Sequence, residues 1–243
     1  MKPVTHTASL TLSVGAPWEI FRVQTPRGLV DLYTKAGDLG VYSSMLVLSP
    51  DYDTGWVILS AADSLGTASR GALLIADLIA DTFVPAFEAA AKERAVVNLS
   101  GTYKATNGLN SSITIVTDNY PGLGIHRWIS NGTDILAAYL AYNGFGDRFT
   151  ASVRLYPTSL FTSSPSEQAF RAVFEILPKH ATASYSGAGG GGVFSSNCYT
   201  WTGVDAISYG NVAADDFLFH YDEYGKAVSV EPRMFRVTLE REL

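Results

Sequence analysis

The run Tyr33-Thr34-Lys35-Ala36-Gly37-Asp38-Leu39-Gly40 decides how the first part of this chain is read. It closes one short β-rich stretch, Val30 to Thr34, and its Gly37-Asp38 pair signals a turn before the next, Val41 to Leu48. Working outward, Glu19 to Thr25 precedes it across Pro26-Arg27-Gly28, and Trp56 to Ala61 follows it across Pro50-Asp51-Tyr52-Asp53. Short apolar stretches separated by turn residues predict an antiparallel meander.

The period then changes. From Ala68 to Ala95 the residues are good helix formers. Arg70, Asp77, Asp81, Glu88 and Lys92 recur at helical spacing and predict one polar face, with Leu74, Ile75 and Leu78 on the other side, packed on a sheet. Pro85 brings no N–H to the ladder, which predicts a kink or a break. From Val96 the strand pattern returns. Candidates are Ser100 to Thr106, Ser111 to Thr117, Ile125 to Ser130, Asp134 to Tyr142, Ala151 to Tyr156, Ala169 to Ile176, Tyr199 to Tyr209, Asp215 to Tyr221, Ala227 to Val230 and Met234 to Leu239. In Asp215–Tyr221, Phe217, Phe219 and Tyr221 share one face and Asp216, Leu218 and His220 the other. Regularly spaced short strands predict a barrel or sandwich. The expected organisation is α+β, mainly β: residues 1–95 form a sheet with one long helix, and residues 96–243 a β-barrel.

Composition excludes some functions. The 243 residues are 47% hydrophobic and 16% charged, enough apolar material for a sizeable core. The net charge is −6 and no Lys/Arg stripe is present, so nucleic-acid binding is not expected. The apolar stretch Gly71 to Phe87 is interrupted by Asp77, Asp81 and Pro85, which predicts no membrane insertion. No apolar run follows the charge in Met1-Lys2-Pro3-Val4-Thr5-His6, so the chain as written is expected to be cytoplasmic, and secreted only as a piece of a longer parent. The lone Cys198 reads as buried and inert.

The Lys35-Ala36-Gly37 element, with Gly15-Ala16-Pro17-Trp18-Glu19-Ile20 before it and Tyr42-Ser43-Ser44, the Pro50-Asp51-Tyr52 turn, another strand and a long helix after it, resembles the Lys-x-Gly strand and closing elements of the serine β-lactamase and penicillin-binding-protein superfamily. Downstream, Gly101-Thr102-Tyr103, Cys198-Tyr199-Thr200-Trp201, Val204-Asp205, Phe217-Leu218-Phe219-His220 and Val237-Thr238-Leu239-Glu240-Arg241 are similar to the C-terminal domain of fungal β-lactamase-like serine hydrolases. The resemblance covers nearly the whole chain. It implies a truncated antiparallel β-lactamase-type sheet followed by a lipocalin-like antiparallel β-barrel.

What the resemblance also implies is a missing mechanism. That superfamily uses a Ser-x-x-Lys pair, the serine attacking a carbonyl and the lysine tuning proton transfer. No lysine of this chain has a serine three residues before it. Tyr209-Gly210-Asn211 and Ser195-Ser196-Asn197 fit the middle motif in form, but they follow the Lys-x-Gly strand where the family's precedes it, so both read as chance.

Other patterns read as structure. Gly187-Ala188-Gly189-Gly190-Gly191-Gly192 fits Gly-x-Gly-x-x-Gly, but no helix signal follows it, so it reads as a loop and not a dinucleotide site. His6, His126, His180 and His220 lack ligand spacing, and neither a metal nor a cofactor is expected. Asn98-Leu99-Ser100, Asn110-Ser111-Ser112 and Asn131-Gly132-Thr133 are glycosylation sequons, idle in a chain that is not exported.

Three functions stay open. One is a non-hydrolytic small-molecule-binding protein, a cyclase- or isomerase-type enzyme acting on an apolar intermediate of fungal secondary metabolism, with Lys35, Tyr42, Trp128 and Arg154 as catalytic candidates and Tyr103, Tyr139, Tyr156, Arg171 and Glu175 as substrate-binding ones. The second is a non-catalytic ligand- or partner-binding module. The third is a fragment of a full-length serine hydrolase. Because the missing half would leave one sheet face bare, a covering is expected, and a homodimer is the preferred one.

Overall fold

The computed structural model describes residues 3–25, 28–161, 166–179 and 201–242. Cys198, His180, the Gly187–Gly192 run, Ser195-Ser196-Asn197 and the start of the expected Tyr199 strand lie outside the described residues. The chain divides into two compact units, Met1–Glu93 and Arg94–Leu243.

In the first unit, β1 (Thr5–His6), β2 (Leu12–Val14), β3 (Glu19–Thr25), β4 (Gly28–Leu39), β5 (Tyr42–Ser49) and β6 (Thr54–Ala61) form one antiparallel sheet in chain order. Gly37-Asp38 does not turn. The strand runs on to Leu39, and the reversal falls at Gly40, whose φ of +61° suits glycine. Alternation sorts the sheet into two faces. Val30, Leu32, Met45, Val47 and Ile58 share one face and build a core with Ala72 and Val84 of the helix α1 (Thr67–Asn98). Leu39, Tyr42, Val57 and Leu59 lie on the opposite face, where Leu39 and Leu59 are each 80% exposed.

Of the kink or break expected at Pro85, the break does not occur, and the face expected of the leucines is corrected. Pro85 does not divide α1: one helix runs from Thr67 to Asn98. A proline removes a single ladder bond, and packing on both sides bridges the gap. Val84 is buried, and Phe87 lies 5.8 Å from Phe83 and 5.6 Å from Tyr52, ring centre to ring centre. Nor do the leucines face the sheet. Leu74 is 64% exposed and Leu78 67%. The buried stripe is Ala68, Ala72, Ala76, Ile79, Ala80 and Val84. Small side chains let the helix backbone approach the sheet, while Leu74 sits two turns from Asp81, on the polar side.

The second unit is a closed eight-stranded antiparallel barrel. Its strands are β7 (Gly101–Lys104), β8 (Ser112–Val116), β9 (Leu123–Ser130), β11 (Phe149–Phe161), β12 (Glu167–Pro178), β15 (Asp216–Tyr221), β16 (Ala227–Pro232) and β17 (Leu239–Arg241). The order β9-β11-β12-β15-β16-β17-β7-β8 closes through β8–β9 pairing. The short β10 (Thr133–Asp134) folds back on β9, and β13 (Ser208–Tyr209) pairs with β14 (Val212–Ala213) in a separate hairpin. Among the described residues sixteen buried side chains form its core, among them Trp128, Tyr103, Leu155, Phe217, Phe219 and Leu239. Closure removes the edges an open sheet would expose.

Three strand expectations fail for local reasons. Asp134–Tyr142 is not a strand: after β10 it is the helix α2 (Ile135–Tyr142). The Asp134 carboxylate accepts hydrogen bonds from the N–H groups of Leu136 and Ala137 at 3.0 and 3.1 Å, an N-cap that starts a helix in this Ala-rich run. In the described part of Tyr199–Tyr209, residues 201–203 form a single 3₁₀ turn. Met234–Leu239 begins in another, over Arg233–Phe235, which ends at Arg236 with φ +52°. The Tyr209-Gly210-Asn211 match is the tip of the β13–β14 hairpin, with positive φ at Gly210 and Asn211, as a two-residue reversal requires.

Candidate functional site

Two open depressions are candidates, one in each unit. The first, about 470 Å³, adjoins the Lys35-Ala36-Gly37 run at the turn joining β4 to β5. Gly37, Asp38, Leu39, Tyr42, Ser43, Ser44, Leu59 and Ser60 line it. Gly37 leaves its backbone bare, and the Ser44 hydroxyl donates to its carbonyl at 3.2 Å. Tyr42, the first residue of β5, stands exposed at the wall. Lys35 is absent from the lining. Its Nζ donates to Glu19 Oε1 at 2.8 Å, an exposed pair of small energetic weight.

The other seven sequence-derived candidates belong to the barrel unit, and the structure gathers four of them on its outer surface. Antiparallel pairing sets Tyr156 opposite Arg171, Arg154 opposite Val173 and Ser152 opposite Glu175, so Arg154, Tyr156, Arg171 and Glu175 share a face of β11 and β12. Val153, Leu155 and Phe170, one residue away, point into the core.

Arg154 is buried there, and each of its three side-chain nitrogens has a partner. Nη1 and Nη2 form a fork on Asp118 at 2.6 and 2.7 Å, Nε donates to the Pro121 carbonyl, and Nη2 also reaches the carbonyls of Tyr120 and Gly122. This guanidinium pins the loop between β8 and β9. The Tyr156 ring lies 4.7 Å from that of Trp201, tilted by 47°, and burial raises its phenol pKa against an opposing effect of Arg154. Arg171 reaches Asp205 at 2.8 Å and Asp215 at 3.2 Å. Burial raises the Asp215 carboxyl pKa, and Arg171 partly offsets it. Beside this pair lies the second depression, about 460 Å³, lined by Arg171, Asp205, Ser208, Asn211, Val212, Ala213, Asp216 and Arg233. Its two guanidiniums already face carboxylates, Arg233 meeting Asp216 at 3.2 Å.

The remaining three serve packing. Trp128, 1% exposed, lies 5.2 Å from Phe217 and 5.1 Å from Phe235. Tyr103 is fully buried, its hydroxyl donating to the Leu99 carbonyl at 2.7 Å, and burial pushes its pKa up to about 12. Tyr139, on α2, packs at 4.9 Å against Phe174. None of the three lines either of the two depressions. Sequence reading passed over Asp118, Asp205, Asp215 and Arg233, because their partners lie 17 to 44 residues away.

Among the described residues one Ser–His contact stands out, His6 Nδ1 to Ser13 Oγ at 3.0 Å. It is a cross-strand pair in the β1–β2 register, and Ser13 is buried, so a substrate carbonyl has no approach to it. Among the described residues no group of three or more His, Cys, Asp or Glu could hold a metal ion, and no helix is long and apolar enough to cross a membrane.

Comparison with known proteins adds lineage to this geometry. A family model described as "Beta-lactamase-like-like, C-terminal domain" matches residues 91–243. The "Beta-lactamase-like protein" of Arthroderma benhamiae is 31% identical over 95% of this chain and 42% of its own length. "Probable hydrolase clz13" of Cochliobolus lunatus is 28% identical over 94% of the chain and 37% of its own length. "Probable hydrolase M10" of a Phoma species is 36% identical over 51% of the chain and 21% of its own length. The chain thus spans about two fifths of the first two relatives. No solved structure matches it.

Proposed function

The chain belongs to the β-lactamase-like C-terminal-domain family, and we propose that it binds an apolar small molecule without hydrolysing it, in the depression beside Lys35-Ala36-Gly37. The observation that carries this reading is the lining itself. Leu39, Tyr42 and Leu59 offer apolar surface, while Asp38, Ser43, Ser44 and Ser60 supply a few polar groups that could orient a ligand. The sequence of the chain holds no Ser-x-x-Lys pair, so the acyl-enzyme route is not built from these residues. A cyclase- or isomerase-type reaction is the chemistry this lining suits, with Tyr42 as proton donor and Asp38 as acceptor. Trp128 and Arg154 drop out of the catalytic set, since one fills the core and the other holds a loop. The names of the relatives favour hydrolysis by the longer proteins, and the Lys-x-Gly strand is what this chain shares with that chemistry.

The test uses the purified chain. The fluorescent apolar probe 8-anilinonaphthalene-1-sulfonate should bind saturably, and the Tyr42→Ala and Leu59→Ser variants should weaken that binding several-fold with the fold intact. The chromogenic β-lactam nitrocefin should open no faster than in buffer. Turnover of nitrocefin, or probe binding indifferent to both substitutions, defeats the reading.

A second reading has its own support. Leu39, Val57 and Leu59 lie exposed on one sheet face at whose edge stands β6, and such a surface suits a protein partner, with a second copy as the partner preferred here. Sedimentation velocity at micromolar concentration distinguishes the two, since a purely monomeric chain removes the homodimer.

A further inference from the structure

Three sequons compete for attention, and the fold treats them differently. Asn131-Gly132-Thr133 forms the tip of the β9–β10 hairpin. Ser130 pairs with Thr133, and Asn131 and Gly132 take φ of +45° and +81°, a two-residue reversal. All three sequon residues are exposed. The backbone of the tip is held: the Asn131 N–H donates to Ser111 Oγ at 2.8 Å, and the Gly132 N–H to the Asn110 carbonyl at 2.7 Å. No hydrogen bond holds the Asn131 carboxamide among the described residues, so a rigid turn presents a free amide.

Asn98-Leu99-Ser100 is the opposite case. Asn98 is the last residue of α1, and its carbonyl accepts from Arg241 Nη1 at 3.0 Å. The Ser100 hydroxyl, the third element of the sequon, is buried. A glycan at Asn98 would stand where the helix end meets the barrel. Asn110 is exposed, but its amide lies against Gly132 and its Ser112 belongs to β8.

We propose that Asn131 is an acceptor for N-linked glycan and that Asn98 is not. This acceptor chemistry needs an exposed Asn-x-Ser/Thr in a chain that enters a secretory compartment, and the hairpin tip supplies the structural half of that requirement. The idle reading of this sequon, drawn from the first residues of the chain, is therefore given up. The proposal is independent of the ligand site in the first unit.

The experiment is secretion of the full chain from a yeast host behind a host leader, followed by release with peptide-N-glycosidase F in heavy-oxygen water. A parallel incubation in heavy-oxygen water without the enzyme is subtracted, because the spontaneous deamidation to which Asn131-Gly132 is prone takes up the same label, and only enzyme-dependent label is counted. Expected are a downward shift in gel mobility on release, heavy-oxygen label in the Asn131 peptide, an unlabelled Asn98 peptide, and loss of the Asn131 label in Thr133→Ala, which keeps Asn131 in place. Circular dichroism identical to the parent shows that this variant still folds. An unlabelled Asn131 peptide in folded, secreted protein overturns the proposal, as does a glycan on Asn98.

Discussion

Gly101 and Arg241 touch so closely that a Cβ on Gly101 would lie 3.1 Å from Arg241 Nε. The arginine needs that space. Its guanidinium donates to the carbonyls of Val97, Asn98, Ser100 and Ala227, at 3.1, 3.0, 2.5 and 3.2 Å, and lies 5.9 Å from the centre of the Tyr103 ring. It satisfies carbonyls at the end of α1 that have no helical partner and places a cation at the negative end of the helix dipole.

Gly101→Ala is therefore expected to cost about 1–3 kcal/mol, because φ at Gly101 is +157° and the guanidinium must shift. Arg241→Met should cost about 3 kcal/mol, since several carbonyls lose a charged donor. Urea unfolding followed by circular dichroism measures both. If either variant matches the parent, the cap carries no stability.

Arg154 and Asp118 form the other knot, the arginine buried and the aspartate 38% exposed. Asp118→Asn strands the buried guanidinium, and Arg154→Met takes a charged donor from the carbonyls of Tyr120, Pro121 and Gly122, so each should destabilise by about 1–3 kcal/mol. The loss should be localised as well. Amide hydrogen exchange over residues 117–122 should speed up in both variants before the rest of the barrel responds, whereas uniform exchange would argue against the loop-pinning role.

Tyr103 links stability to alkaline pH. Burial raises its pKa from 10.0 to about 12, so the folded state holds the phenolic proton more tightly than the unfolded chain. That contribution is whole below pH 10 and is lost as pH rises through about 12. Tyr221, also raised by burial and then by Tyr103, adds to the same decline. Tyr103→Phe should lose about 1 kcal/mol at pH 7 with the hydrogen bond to Leu99, yet show a flatter fall above pH 10. A parallel decline in parent and variant would remove Tyr103 from the alkaline transition.

The stripe of α1 makes a contrasting pair. Val84→Ala, in the core, should cost about 2 kcal/mol, whereas Leu78→Ser, at an exposed site, should stay within about 0.5 kcal/mol. The reverse order would mean that the leucines, not the alanines, seat the helix. Thermal unfolding of the two variants side by side decides it.

Alternation made most barrel strands legible. Phe217 and Phe219 point inward as their spacing implies, and β3 runs over the residues where it was expected. Helix faces were harder. Leucine is the stronger apolar residue, so the eye assigns it to the core, but a helix lying close on a sheet selects small side chains. Asp134 misled in another way, because its capping value appears only when two N–H groups stand free to receive it. The candidate residues were the least legible. A charged or aromatic residue on a strand looks the same in sequence whether it lines a pocket or closes a knot.

Local order was thus written in the chain: its periods, its turns, the absence of Ser-x-x-Lys, and the Gly101-Thr102-Tyr103 motif inside the stretch that its family model matches. Those properties depend on neighbours a few residues apart. Only tertiary structure decided which side chains are free to act. Arg154 finds Asp118 from 36 residues away, and Arg241 finds the end of α1 from 143. Such pairings depend on barrel closure, which brings the last strand beside the first, and no local pattern encodes a distance that the closed ring alone creates.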